Sequence, residues 1–341
     1  MTIEEKLEAT ARAMVAEGKG ILAVDETAPT CTKRFTEFGI DSTEHSRRAY
    51  REMLLTTPGI GEYISAAILV DETIRQSTEN GRPFVGVLNA SGIIPGIKVD
   101  TGPKPLAGAL GETVTEGLDG LRERLDEYRE MGARFTKWRA VIRIGPHMPS
   151  RGCIEANAHA LGRYAALAQE AGLVPIVEPE VLMNGEHDIH RCQEVTEEVL
   201  HSVFDQLVSQ HCLLEGMVLK PNMVTSGSEC PAQADTGQIA ERTLKALHRC
   251  VPAAVPGIAF LSGGQSGEEA CRNLNAMASR GPFPWELSFS FGRALQYPAL
   301  PTWGGHTDNV LAAQAALLHR ARMSGLARTA MYSPDAEREA A

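Results

Sequence analysis

Carboxylates, amines and guanidinium groups recur near the ends of the apolar runs in this sequence. They are Asp25, Lys98, Lys137, Arg139, Glu178, Glu180, Lys220 and Arg293. Buried charge costs free energy unless it is paired or used in chemistry. One such residue alone is most simply explained as part of a structural salt bridge or as a solvated strand end. Together, however, the set contains the acids, bases and amines that acid–base and covalent amine catalysis require.

Lys220 is the candidate nucleophile. It follows the apolar residues 216–219, and burial there would lower the pKa of its amine. A second cation nearby, such as Lys137, would lower that pKa further. A neutral amine can attack a ketone and form a Schiff base. A lysine that extends its ammonium group from a strand end into solvent explains the same pattern, so Lys220 by itself leaves both interpretations open.

A glycine-rich turn follows the seventh apolar run and predicts a phosphate site. Gly263 and Gly264 would let backbone N–H groups approach an anion. Ser266 and Glu269 have the spacing of a capping box, which places a helix N-terminus there. Arg293 follows the eighth run, and the loops after strands seven and eight are the recurrent phosphate site of β/α barrels. A plain glycine-rich turn is the alternative, which the position of Arg293 disfavours.

Short apolar runs alternate along the chain with longer segments of helical periodicity, among them residues 117–131, 157–170 and 193–209. The predicted strands are residues 20–26, 65–71, 92–100, 135–144, 174–180, 216–221, 257–262 and 287–291. Continuous apolar strands are typical of a parallel sheet covered on both faces. The pattern predicts an α/β fold, a single (β/α)8 TIM barrel over residues 1–330, followed by a polar, frayed tail over residues 331–341. A doubly wound open sheet is the structural alternative.

Composition and charge exclude several classes of binding partner. The net charge of −10 disfavours binding to nucleic acid or to anionic membranes. Seven cysteines without a CxxC pair predict reduced thiols and no zinc knuckle. We interpret His187 and His190, three residues apart, as a solvated helix face, so neither a metal site nor a cofactor is expected. The absence of a signal peptide or a membrane-spanning run favours a cytoplasmic protein.

The sequence resembles the class I, Schiff-base-forming fructose-bisphosphate aldolases from about residue 13 to residue 332. Seven motifs carry the resemblance in order: GKGILAVDE (18–26), GIKVD (96–100), KWR (137–139), PIVEPE (175–180), LKPNMV (219–224), LSGGQS (261–266) and FGRA (291–294). The resemblance implies a metal-independent lyase of glycolysis and gluconeogenesis that cleaves fructose 1,6-bisphosphate. It also implies a homotetramer that binds a small sugar-phosphate substrate.

The same resemblance implies roles for individual residues. Lys220 matches the Schiff-base lysine, Glu178 the acid–base of carbinolamine dehydration, and Asp25 the base that takes the C4 hydroxyl proton. Glu180 matches a second glutamate close to the amine. The residues implied to position the substrate or its phosphates are Lys137, Arg139, Lys98, Thr27, Thr30, Ser262, Gly263, Gly264 and Arg293.

Two departures from the family pattern affect these expectations. Pro29 stands where the family commonly has glycine, and we expect it to stiffen the loop beside the second phosphate. Tyr332 aligns before the tail in which many relatives carry a terminal tyrosine, so water or Glu180 is expected to exchange the enamine proton. Another Schiff-base barrel acting on a different sugar phosphate and a non-catalytic barrel are the competing hypotheses.

Overall fold

A computed structural model describes residues 1–338 of the chain. Its strands are β1 (Gly20–Ala23), β2 (Ile64–Leu69), β3 (Ile94–Lys98), β4 (Gly102–Pro105), β5 (Thr113–Glu116), β6 (Phe135–Ile142), β7 (Val174–Val181), β8 (Val218–Leu219), β9 (Gly257–Phe260) and β10 (Glu286–Phe291). All but β4 and β5 pair in parallel and close a barrel in the order β1-β10-β9-β8-β7-β6-β3-β2. The predicted barrel is confirmed, and the open-sheet alternative is wrong.

Helices surround the barrel. They are α1 (Ile3–Met14), α2 (Ala28–Thr36), α3 (Glu44–Leu55), α4 (Asp71–Ile74), α5 (Phe84–Ala90), α6 (Leu121–Glu130), α7 (Arg151–Glu170), α8 (Ile189–Ser209), α9 (Thr236–Cys250), α10 (Gly267–Ala278), α11 (Arg293–Gln296), α12 (Ala299–Trp303), α13 (Val310–Arg328) and α14 (Pro334–Arg338). No helix within residues 1–338 is long and apolar enough to cross a membrane.

Capping residues decide where two of the predicted helices begin. The side chain of Ser150 accepts a hydrogen bond from the Cys153 N–H, so α7 starts before the predicted residue 157. Asp188 caps α8 in the same way. His187 therefore precedes the helix that contains His190, and the prediction of one shared helical face was wrong.

Two apolar layers hold the barrel together. Strand side chains such as Ile176 and Val218 fill the interior, and α1 closes the end of the barrel opposite the site with Leu7, Ala11 and Met14. The outer layer packs strands against the surrounding helices. The barrel is therefore a filled core rather than a pore, and charged side chains find room only at its carboxyl-terminal mouth.

The end of the described chain is docked rather than frayed. Glu337 on α14 accepts hydrogen bonds from Arg320 Nη1 at 2.7 Å and from the Tyr332 hydroxyl at 2.8 Å. Charge-assisted hydrogen bonds of this kind hold short helices that propensity alone would not. The expectation of a frayed tail was thus wrong for residues 334–338. Residues 339–341, which the same expectation covered, lie outside the described residues. The division of the chain at residue 330 stays a prediction.

Gly96 allows a close approach inside the barrel that no other residue type permits. The Phe135 ring on the neighbouring strand lies against the Gly96 Cα, where an added Cβ would overlap the ring. We expect Gly96→Ala to lower the free energy of unfolding by about 1–3 kcal/mol, because the core would be overpacked. Urea denaturation measures this change.

The control is Gly86→Ala in α5, where an added Cβ has no neighbour within 4 Å. That substitution should be neutral or stabilise the protein slightly, because alanine favours helix more than glycine does. Equal destabilisation by the two variants would show that the approach of Phe135 is not the cause.

Candidate active site

A cavity of about 570 Å³ opens at the carboxyl-terminal ends of the barrel strands. The structure places every site residue predicted from the sequence on its wall: Asp25, Thr27, Thr30, Lys98, Lys137, Arg139, Glu178, Glu180, Lys220, Ser262, Gly263, Gly264 and Arg293. They come from loops and strands across the whole barrel. Parallel strands bring these positions together because all their carboxyl ends meet at one rim.

The centre of the cavity is a chain of alternating charges. The Lys137 ammonium lies 2.8 Å from an Asp25 carboxylate oxygen and 2.8 Å from a Glu178 carboxylate oxygen. The other Glu178 oxygen lies 3.3 Å from Lys220 Nζ. Lys137, Glu178 and Lys220 are each only 3% exposed. Water therefore screens these interactions little, and each group controls the charge of the next.

The two carboxylates are held in their ionised form. Burial by itself would raise the pKa of Asp25, but the ammonium groups of Lys137 and Lys220 outweigh it and hold that pKa below its usual value. The pKa of Glu178 is lowered for the same reason, with burial again opposing the lysines. Both carboxylates can therefore accept a proton at neutral pH.

The two lysines respond in opposite directions. Burial lowers the pKa of Lys220, the Lys137 charge lowers it further, and Glu178 only partly compensates. Burial also acts to lower the pKa of Lys137, but Asp25 and Glu178 raise it well above the usual value. Lys137 thus stays charged, while Lys220 gives up its proton more easily than an ordinary lysine. An amine of that kind is a nucleophile for a carbonyl carbon.

Two further ion pairs lie beside this centre. The Arg139 guanidinium is ion-paired with Glu180, and Asp100 Oδ1 holds the Lys98 ammonium at 2.5 Å. The other Asp100 oxygen accepts the Arg139 backbone N–H at 3.2 Å. Glu180 forms its ion pair with Arg139, and the expectation that it lies close to the Lys220 amine stays a prediction.

The predicted anion site is a glycine turn, and neither Gly263 nor Gly264 has a side chain of its own to cover its backbone N–H group. Gly263 and Gly264 adopt φ values of 55° and 96°, which side chains strain to reach. The buried Gln265 fixes the turn, because its side-chain amide donates to the Ser262 carbonyl at 3.0 Å. The capping box predicted at Ser266 is present and starts α10. The turn and Arg293 therefore offer backbone donors and a guanidinium to one anion.

The loop after Asp25 is compatible with its proline. Thr27 is the N-cap of α2, and Pro29 falls in the first turn, where its missing N–H has no intrahelical partner to lose. The hydroxyls of Thr27 and Thr30 lie 3.2 Å apart at the cavity wall. Pro29 therefore stabilises the start of a helix that carries two hydroxyl donors.

Arg34 and Ser290 are among the cavity-wall residues that were not predicted from the sequence. Arg34 on α2 is ion-paired with Glu26 at 2.6 Å. The Ser290 hydroxyl is buried and has no hydrogen-bond partner among residues 1–338. Ser290 left a signal in the sequence, since it lies between Phe289 and Phe291 near the end of a predicted strand. Arg34 left none, because exposed arginines are common on helices.

Lys137→Met removes the cation between the two carboxylates. At pH 7 we expect the free energy of unfolding to fall by about 3 kcal/mol, because a buried charge loses its partner. In the wild type, the lowered pKa of Asp25 gives stability that is present above the unfolded-state pKa of about 4 and is lost as pH falls toward the folded-state value. In the variant the pKa of Asp25 rises. The difference in the free energy of unfolding between the wild type and the variant should therefore shrink as pH falls below about 5.

Urea denaturation between pH 4 and pH 8 measures that deficit. The control is Arg122→Met, which removes the cation of an exposed pair with Glu170 and should leave stability nearly unchanged. A deficit for Lys137→Met that does not vary with pH would contradict the electrostatic explanation.

Comparison with known proteins agrees with this geometry. The family model "Fructose-bisphosphate aldolase class-I" matches residues 6–341. A probable fructose-bisphosphate aldolase class 1 of Xanthomonas campestris pv. campestris is 58% identical over 328 residues, covering 96% of this chain and 98% of the relative. The cytosolic fructose-bisphosphate aldolase 6 of Arabidopsis thaliana is 53% identical over 334 residues, or 98% of this chain and 93% of the relative.

The fold comparison points the same way. A solved structure of fructose-bisphosphate aldolase from Plasmodium falciparum superposes with a TM-score of 0.96 at 47% identity, covering 97% of this chain and 96% of that one. The resemblance stated from the sequence motifs is confirmed: this chain belongs to the class I fructose-bisphosphate aldolase family.

Proposed function

We propose that this chain catalyses the reversible aldol cleavage of fructose 1,6-bisphosphate to dihydroxyacetone phosphate and glyceraldehyde 3-phosphate, through a Schiff base on Lys220. One observation carries the proposal. The Lys220 amine is buried with a lowered pKa, 3.3 Å from a Glu178 carboxylate that Lys137 links to Asp25. A nucleophile, a proton shuttle and a second base are thus in contact within one cavity.

The first half of the reaction uses Lys220 and Glu178. The neutral amine attacks the C2 ketone, and the proton it then carries in excess passes to the ionised Glu178. Glu178 returns that proton to the C2 alkoxide, which gives the neutral carbinolamine. Glu178 then takes a second proton from solvent and delivers it to the hydroxyl, which leaves as water and gives the iminium ion. The lowered pKa of Glu178 suits this sequence of steps, because the carboxylate must be ionised before it can accept the proton.

The second half uses Asp25. It removes the C4 hydroxyl proton, the C4 carbonyl forms, and the electrons of the C3–C4 bond move into the iminium. Glyceraldehyde 3-phosphate leaves, and protonation and hydrolysis of the enamine release dihydroxyacetone phosphate. Lys137 keeps Asp25 ionised and in place at 2.8 Å. The iminium serves as the electron sink, so the proposal includes no metal or other cofactor.

The two phosphates occupy opposite ends of the cavity in this proposal. Ser262, Gly263, Gly264 and Arg293 bind the C1 phosphate, and the unpartnered Ser290 hydroxyl is available beside them. Lys98, Thr27 and Thr30 bind the C6 phosphate, with Asp100 holding the Lys98 ammonium in place. Arg139 and Glu180 form a pair that orients the middle of the sugar. Opposed anion sites fix the carbonyl carbon over Lys220.

We further infer a cytoplasmic homo-oligomer, a homotetramer by family analogy, with one barrel domain over residues 1–330 and a short tail over 331–341. The Arabidopsis relative is described as cytosolic, whereas a relative from Chlamydomonas reinhardtii is described as chloroplastic. The acidic net charge of −10 fits a protein that binds neither nucleic acid nor anionic membranes. Light scattering of the purified chain measures the oligomeric state.

Reduction with borohydride tests the covalent step. In the presence of dihydroxyacetone phosphate, the wild type should gain the mass of one reduced adduct on the peptide that contains Lys220. Lys220→Met should form no adduct and show no measurable cleavage, because Lys137, the other amine beside Glu178, stays charged and cannot attack. The control Lys245→Met, on α9 away from the cavity, should keep both activities. Full cleavage by Lys220→Met would overturn the proposed function.

Two variants and two substrates test the assignment of the phosphate sites. Arg293→Leu should raise KM about 10- to 100-fold for both fructose 1,6-bisphosphate and fructose 1-phosphate, because it removes a charge-assisted contact to the C1 phosphate. Lys98→Met should raise KM similarly for the bisphosphate only, since fructose 1-phosphate has no second phosphate. Equal effects of Lys98→Met on both substrates would contradict the assigned orientation.

A further inference from the structure

Gln296 is a fully buried polar side chain behind the cavity wall that the reaction scheme above does not use. It is 1% exposed and lies on α11, one turn after Arg293. Its amide nitrogen donates to the Ala23 carbonyl at 2.5 Å and to the Glu26 carboxylate at 2.8 Å. Its amide oxygen accepts from the Tyr50 hydroxyl at 3.1 Å. Every side-chain polar group of Gln296 is thus committed to another element.

The orientation of this amide follows from its partners. A backbone carbonyl and a carboxylate can only accept hydrogen bonds, so the nitrogen must face Ala23 and Glu26. The Tyr50 hydroxyl is then left to donate to the oxygen. Glu26 is held a second time by Arg34 at 2.6 Å, and its backbone carbonyl accepts from Arg51 at 2.6 Å.

The two groups that Gln296 holds bracket the proposed base. Ala23 ends β1 and Glu26 precedes α2, so the amide grips the chain on both sides of Asp25. On its own helix, Gln296 follows Arg293, whose carbonyl accepts the Tyr297 N–H at 2.8 Å. One side chain therefore links the segment that carries the C4 base to the helix that carries the C1-phosphate arginine.

We propose that Gln296, acting through Glu26, is a positioning residue that sets the distance between Asp25 and Arg293. This inference rests on the proposed function and adds to it a constraint on geometry. Cleavage requires the phosphate on C1 and the hydroxyl on C4 to be held at once, at the correct spacing. A misplacement of about 1 Å can cost about 100-fold in rate, so a rigid tie between the two holding groups has a catalytic effect.

A contribution to packing alone explains the arrangement less well. Keeping the Glu26 carboxylate only 9% exposed at the cavity wall is costly, and apolar residues of similar volume would pack the space without that cost. The hydrogen bonds supply directionality instead, which apolar contacts lack. They determine where the β1–α2 junction lies relative to α11.

The test compares two buried glutamines. Gln296→Met removes the tie and keeps the volume. Gln314→Met is the matched control, because Gln314 is 7% exposed and its amide donates to the Met53 carbonyl and the Thr56 hydroxyl, away from the cavity. Both variants should lower Tm. Only Gln296→Met should lower kcat/KM for fructose 1,6-bisphosphate, by about 10- to 100-fold, with kcat falling through Asp25 and KM rising through Arg293.

A value of kcat/KM for Gln296→Met within about threefold of the wild type would overturn the inference, as would an equal loss in Gln314→Met; a threefold change is close to the smallest that a single lost hydrogen bond predicts. If Gln296→Met fails to fold, Tyr50→Phe takes its place. It deletes only the hydroxyl that orients the amide, and it should lower kcat/KM at least about threefold. Unchanged kinetics in Tyr50→Phe would then overturn the inference.

Failure of this inference and failure of the proposed function give different results. A wild type that neither cleaves the bisphosphate nor forms the borohydride-reduced adduct on Lys220 would overturn the proposed function, and this inference with it. An active wild type with a kinetically normal Gln296→Met would overturn the inference alone.

Discussion

The ammonium group of Lys137 offsets the charge of two buried carboxylates and favours their ionised forms. It contacts Asp25 and Glu178 at 2.8 Å each, and its own charge is secured by both. The same positive charge disfavours a second ammonium on Lys220, beyond Glu178. One residue thereby keeps two bases ready and a nucleophile easier to deprotonate. Such mutual control requires low dielectric, and hence burial.

The barrel makes that cluster possible through strand register. Lys98 is paired with Lys137 across β3 and β6, and Arg139 with Glu178 across β6 and β7. Charges on neighbouring strands therefore lie side by side at one height. Lys137 pairs with Glu178 and Arg139 with Glu180 between adjacent strands, whereas the pair of Lys137 with Asp25 crosses the barrel mouth. Apolar side chains fill the barrel below the charged groups and exclude water on that side. Above the charged groups, the loops leave a cavity large enough for a substrate.

The helices on one side of the mouth connect this chemistry to the outer layer. α2 begins immediately after the segment with Asp25, and α11 begins with Arg293. Gln296, Glu26 and Arg34 join the two helices through buried hydrogen bonds. Gln296 thereby ties the segment that carries Asp25 to the helix that carries Arg293, as its proposed positioning role requires.

Local patterns predicted the eight barrel strands, because a strand covered on both faces is mostly apolar. They did not predict the antiparallel pair of β4 and β5. They overran the strand ends: β1 stops at Ala23 and β8 at Leu219, since Asp25 and Lys220 turn into the cavity from the loops. Helix starts were misjudged wherever a capping residue such as Ser150 or Asp188 lay outside the apolar periodicity. The pairing of Glu180 with Arg139 could not be read from the sequence, because it depends on the register of β6 against β7.

The sequence by itself determined the fold class, the family and the thirteen residues that line one cavity, because strand-end motifs are local and parallel strands bring their ends together. Only the tertiary structure decided which charge contacts which. It joined Lys137 to two acids, Glu180 to Arg139, and Gln296 to residues 270 positions away along the chain. The physical reason is that ion pairing and pKa depend on distances of a few ångströms and on burial, and neither quantity is encoded in the spacing of residues along a chain.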